Sequence, residues 1–133
     1  MSIKILSDSF FQGELNNKQV GVATITHSSN THTVDFSAEE NNYSITAQNA
    51  TNTIAFSNLS AAVVGKSGNI TITNPASVGS LAFAALPSTA YSPGGATISF
   101  DTNASSISII SYYVLASDKV LINYVGNFKS YGT

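Results

Sequence analysis

Apolar and polar residues exchange places at every second position through much of the chain, in short runs separated by turn-forming residues. Side chains of an extended strand point alternately to opposite faces, so this period marks strands with one buried face. No apolar set recurs at i, i+3, i+4 and i+7 over three helical turns, and strong helix formers are scarce. The pattern predicts strands over residues 20–26, 32–36, 43–47, 53–56, 69–73, 80–83, 96–100, 106–115 and 119–125. In the second of these, His32, Val34 and Phe36 share one side. Ser28, Ser29 and Asn30 predict a hairpin turn joining the first two strands. Gly65-Lys66-Ser67-Gly68 opens a strand that Asn74-Pro75 closes. Ser92-Pro93-Gly94-Gly95 predicts a tight turn, because Pro fixes φ and Gly accepts φ > 0. Ala116-Ser117-Asp118 is the short connection between the two longest strands. Roughly eight to ten short strands at this spacing predict an all-β fold of sandwich, jelly-roll or small-barrel type.

Composition narrows the partners. Only 9% of the 133 residues are charged, against about 25% in an average soluble domain. The surface is therefore built largely from Ser, Thr and Asn. All five basic residues are Lys and the formal net charge is −2, which leaves no basic patch for a run of phosphates and argues against nucleic-acid binding. Cys is absent, which excludes disulfides, thiol catalysis and thiolate metal sites. No apolar run approaches the roughly 18 residues of a membrane-spanning helix. The first residues carry Lys4 and a short apolar stretch broken by Asp8, without the features of a signal peptide, so synthesis in a cytoplasm is expected.

Charge also divides the chain. Residues 1–42 hold Asp8, Glu14, Asp35, Glu39 and Glu40 against Lys4 and Lys18. Residues 43–133 hold only Lys66, Lys119, Lys129, Asp101 and Asp118. This reads as an N-terminal arm or hairpin, 1–42, leading into a β-sandwich or jelly-roll-like domain, 43–133. Within that domain, residues 106–109 alternate Ser and Ile, whereas from Ile110 onward both faces of the strand are apolar or aromatic. A strand apolar on both sides belongs at the centre of a fold or beneath another subunit. The poverty of charge favours assembly, since interface cores are depleted in charge and enriched in aromatics.

Candidate chemistry is sparse. His27 and His32 are the only histidines, and Asp35, Glu39 and Glu40 follow closely. Two His with a carboxylate can hold zinc, but no recognised ligand motif is present, and the reading is no metal and no cofactor. Ser-His-Asp chemistry lacks a Gly-x-Ser-x-Gly elbow or an oxyanion-loop signature, so no enzyme is expected. Gly65-Lys66-Ser67 resembles the end of a phosphate-binding loop, yet Ser60 stands where the first Gly is required and a strand follows where a helix is needed. It reads as a β-turn. Asn-x-Ser/Thr sequons at Asn42, Asn49, Asn58, Asn69 and Asn103 follow from the composition and are discounted as glycosylation sites. Tyr43, Tyr91, Tyr124 and Tyr131 are candidates for sugar stacking by residue type, with packing as the commoner use.

One resemblance rests on an ordered set of short motifs. They are Asn-Tyr-Ser-Ile-Thr-Ala at 42–47, Thr-Ile-Ala-Phe-Ser-Asn-Leu at 53–59 and Val-Gly-Lys-Ser-Gly-Asn-Ile-Thr-Ile-Thr-Asn-Pro at 64–75. Leu-Ala-Phe at 81–83, the Ser-Pro-Gly-Gly turn at 92–95, Ile-Ser-Ile-Ile-Ser-Tyr-Tyr-Val-Leu at 107–115 and Gly-Asn-Phe at 126–128 complete it. In this order the stretch from Tyr43 to Phe128 resembles a small β-domain that recurs in bacteriophage virion proteins, notably tail fibres of cyanophages and marine phages. Family members often carry a Trp before the Pro-Gly-Gly turn, where this chain has Tyr91. The resemblance implies a β-sandwich used as a structural or adhesive module, commonly trimeric, with no catalytic residues and no cofactor.

The expectation is therefore a bacteriophage virion structural protein, a capsid decoration (cement) or head-fibre protein that assembles as a homotrimer. Its partners would be further copies of itself and the major capsid protein or another virion protein, with neither membrane nor nucleic acid. The alternative is a short tail fibre or tail-tip adhesin that binds a host surface polysaccharide. Phe10, Phe11 and Leu15 on the arm, and Ile110, Tyr112 and Val114 on the long strand, are the candidate interface residues. The arm residues have the domain's own core as their other destination.

Overall fold

The computed structural model describes residues 21–133. The candidate anchors Phe10, Phe11 and Leu15 lie outside them. The fold is all-β. In chain order the strands are β1 (Val22–Thr24), β2 (Thr31–Asp35), β3 (Asn42–Thr46), β4 (Thr51–Ser57), β5 (Ser67–Thr73), β6 (Ala82–Phe83), β7 (Ala90–Tyr91), β8 (Ile107–Ala116) and β9 (Lys119–Phe128). They form a six-stranded sheet, β1-β3-β5-β8-β9-β7, and a three-stranded sheet, β2-β4-β6.

Through the first six strands the chain crosses from one sheet to the other at every step. Each strand lies parallel to the one two places on: Tyr43 pairs with Ile70, and Val34 with Phe56. The result is a coil of stacked rungs. β8 then returns antiparallel to β5, and β9 antiparallel to β8. The period-two alternation now has a spatial meaning, because paired strands bring like faces together. Tyr43, Ile70, Ile110 and Tyr124 make one inward row across four strands, and Ile45, Ile72 and Ser108 make another. These rows meet Val34, Phe36 and Ile54 of the smaller sheet in one core. Each large apolar side chain removed from water contributes about 1.5–3 kcal/mol.

Three expectations change. The turn at Ser28–Thr31 does form, with Ser29 and Asn30 at positive φ and reciprocal backbone hydrogen bonds of 3.0 and 2.9 Å. It joins no hairpin, because β1 and β2 part immediately into different sheets. Strand alternation is the same for either destination, so the sequence pattern does not distinguish them. Second, the sheets run across the boundary expected at residue 43: β1 pairs with β3, β2 with β4, and Val34 and Phe36 are core residues. Third, residues 96–100 are not a strand, although Ile98 and Phe100 pack against the core as their alternation implies.

Buried polar groups fasten the rungs. The Asn52 amide accepts from the backbone N–H of Gln48 (2.9 Å) and donates to the carbonyls of Gln48 (2.9 Å), Ala50 (3.0 Å) and Ala82 (3.2 Å). The Asn74 amide donates to the carbonyls of Asp101 (2.9 Å) and Asn103 (3.0 Å), and the Ser106 hydroxyl donates to the Asp101 carboxylate. Gly68 sits where β5 passes the β2–β3 connection; a Cβ there would lie 1.9 Å from the Asn41 carbonyl oxygen.

Candidate functional site

The long β8–β9 hairpin places its residues on two faces by alternation, interrupted by a register shift near each end. Ile110, Tyr112 and Val114 point inward and are 1%, 4% and 0% exposed. Tyr112 packs edge-on against Phe36 and donates its hydroxyl to the Asn41 carbonyl (2.6 Å). The structure thus sets these three candidate interface residues in the chain's own core. Their neighbours Tyr113 and Leu115 face out, 44% and 47% exposed. From Ile110 on, both parities are apolar, so the sequence alone does not identify the buried one.

The outward parity assembles a surface. Across β8 and β9, Ile107 pairs with Phe128, Ile109 with Val125, Ser111 with Asn123 and Tyr113 with Leu121. Val125 is 53% exposed, and Ile107, Leu121 and Phe128 are exposed as well. The Ser111 hydroxyl donates to Asn69 Oδ1 (2.9 Å), so even the polar middle row is internally bonded. None of these outward residues is charged. At the rim, Lys119 stands 5.9 Å from the centre of the exposed Tyr91 ring and 3.4 Å from the Asp118 carboxylate. Contiguous apolar patches of this kind are uncommon on soluble monomers and mark candidate contact surfaces.

A cleft of about 360 Å³ is lined in part by Phe83, Leu86, Ala90, Ile98, Phe100 and the inward-facing Ile122 of β9. Phe83 and Phe100 stack within it at 4.7 Å. No ionisable side chain lines it.

The titratable groups serve the fold. Lys66, from the Gly-Lys-Ser stretch, contacts no phosphate loop: Gly65, at φ 93°, turns the chain into β5, and the Lys66 ammonium donates to the carbonyls of Phe36 (2.9 Å) and Ala38 (2.8 Å) and to the Tyr43 hydroxyl (2.9 Å). It clamps the β2–β3 connection, and burial lowers its pKa. Burial pushes Tyr43 up to about 12 and raises Tyr112 further in the same direction. Hydrogen bonds from the Ser37 and Asn58 side chains hold the Asp35 carboxyl below its ordinary value. Sequence spacing concealed the role of Lys66, because its partners Phe36, Ala38 and Tyr43 stand on other turns of the coil.

The two histidines do come together, with ring centres 5.6 Å apart. The nearby carboxylates do not join them, and among the described residues no group of three or more His, Asp or Glu is placed to hold a metal. Of the four tyrosines weighed for sugar stacking, Tyr43 is buried and Tyr124 packs against Phe100, whereas Tyr91 and Tyr131 are exposed. Among the described residues no helix is long and apolar enough to cross a membrane. No family model, curated protein or solved structure matches the chain.

Proposed function

We propose that this protein is a structural building block of a bacteriophage particle, a capsid decoration or head-fibre protein that assembles with copies of itself. The observation that carries the reading is the uncharged apolar outer face of β8 and β9, whose residues the chain's own core does not require. Interfaces between permanent partners have this character, and an isolated domain exposing it invites association. The contact residues on this reading are Ile107, Tyr113, Leu115, Leu121, Val125 and Phe128, one register position from those the sequence suggested. The two-sheet core is read as a sandwich whose first half is coiled in parallel. The phage setting rests on the motif resemblance of residues 43–128, and the trimer on the habit of that family.

The test is copy number in purified particles of the encoding phage, by quantitative mass spectrometry against the major capsid protein. Hundreds of copies are expected for a lattice-bound decoration protein. Absence from the particle overturns the reading. A second reading, a tail-tip adhesin, is favoured by the exposed Tyr91 beside Lys119 and the apolar cleft, since an open aromatic ring can stack on a sugar. A few tens of copies or fewer, with glycan binding lost in Tyr91→Ala, is the outcome it expects.

A further inference from the structure

The orientation of the Asn52 amide is fixed by its own partners. Its Oδ1 accepts from the Gln48 N–H and its Nδ2 donates to three carbonyls, an arrangement that a flipped amide could not satisfy. That oxygen also lies 2.8 Å from His32 Nε2. An amide oxygen only accepts, so Nε2 carries the proton, and in the neutral imidazole Nδ1 carries the lone pair. His32 is fully buried, and among the described residues Nδ1 has no hydrogen-bond partner. A buried acceptor left unpaired is rare in a native protein, and a bound ion is one of the few things that satisfies it.

His27 supplies the second half of the geometry. Its ring centre is 5.6 Å from that of His32, with the planes at 50°. Two imidazoles on one tetrahedral zinc ion, with Zn–N about 2.0–2.1 Å, place their ring centres roughly 5 Å apart. His27 is exposed, so its ring can close that difference without disturbing the core. The Asn52 oxygen on the far nitrogen of His32 is the kind of outer partner that fixes the tautomer and orientation of a ligating histidine.

We propose that His27 and His32 form a binding site for a divalent transition-metal ion, zinc by ligand type, at the corner between β1 and β2. His32 Nδ1 and one nitrogen of His27 are the protein ligands, and water completes the tetrahedron. Imidazole nitrogen suits this class of ion, and the lack of a carboxylate argues against calcium or magnesium.

Titration of the full-length protein with zinc chloride by calorimetry tests this directly. One ion per chain is expected, with affinity at least tenfold weaker in His27→Ala, a surface change that leaves the circular dichroism spectrum unaltered. Because His32→Ala removes a core residue, the second readout uses the native chain. In ¹⁵N-edited NMR the His32 Nδ1 resonance should move with zinc, while the Nε2–H bonded to Asn52 persists. Absence of saturable binding, equal affinity in His27→Ala, or an unmoved Nδ1 resonance would each overturn the proposal.

Discussion

The six-stranded sheet has one kind of inner face and two kinds of outer face. Inward, the row from Tyr43 through Ile70 and Ile110 to Tyr124 is apolar or aromatic across both halves. Outward, β3 and β5 present Ser44, Thr46, Asn69, Thr71 and Thr73, whereas β8 and β9 present Ile107, Ile109, Tyr113, Leu115, Leu121 and Val125 around one polar pair, Ser111 and Asn123. Thr and Ser hold the outer positions of the continuously paired β3 and β5, so sheet formation does not demand the second composition. β-branched Thr satisfies an exposed strand position as well as Ile does, and remains soluble. The coiled half is thus finished as a free surface. The hairpin half carries an apolar outer face, which is the face the proposed assembly would cover.

The largest predicted effect separates the two faces at adjacent residues. Tyr112→Asp places a carboxylate in the core and leaves the Asn41 carbonyl unpaired, so no cooperative thermal transition should remain. Tyr113→Asp changes only the outer face, and its melting curve as a monomer should stay within about 0.5 kcal/mol of the parent. Equal damage from both would erase the distinction between the faces. Next is Gly68→Ala, whose new methyl meets the Asn41 carbonyl backbone; a loss of about 3 kcal/mol in urea unfolding is expected. An unchanged midpoint would show that the coil and the β8 return are not held at this close approach.

Lys66→Met should cost about 1–3 kcal/mol, because it leaves the Phe36 and Ala38 carbonyls and the Tyr43 hydroxyl without their donor. The smallest effect is alkaline. Tyr43 and Tyr112 have folded pKa values raised above the ordinary tyrosine value of about 10, Tyr43 to about 12. Their contribution is complete below about pH 10 and is lost as pH rises through the folded values, since the unfolded chain releases those protons first. Lys66, lowered by burial, acts in the opposite sense over the same range. Urea midpoints should therefore fall between about pH 10 and about pH 12, and fall less in Tyr112→Phe.

What the sequence reveals follows the range of the interaction. The β8–β9 hairpin is legible because its two strands and its turn are contiguous, and the faces of β2 and β5 follow from local alternation. Parallel pairing is not legible, since Tyr43 meets Ile70 only after the chain has crossed the other sheet and returned. Nor are the uses of Asn52 and Lys66, whose key partners His32, Ala82 and Phe36 stand on other turns of the coil. The alternation at 96–100 foretold which side chains face the core but not whether a neighbouring strand would be there. At Ile110–Leu115 apolar and aromatic residues stand on both parities, with Ser111 the one polar exception, so alternation alone did not say which side the core would take. The interface candidates Ile110, Tyr112 and Val114 took the parity that the core uses.

Sedimentation velocity of the full-length protein, beside a Tyr113→Asp, Val125→Asp double variant, tests the central claim most directly. The account predicts a concentration-dependent oligomer for the native chain and a folded monomer for the variant. A native chain that sediments as a monomer at all concentrations, or a variant that keeps the native oligomer, would contradict it.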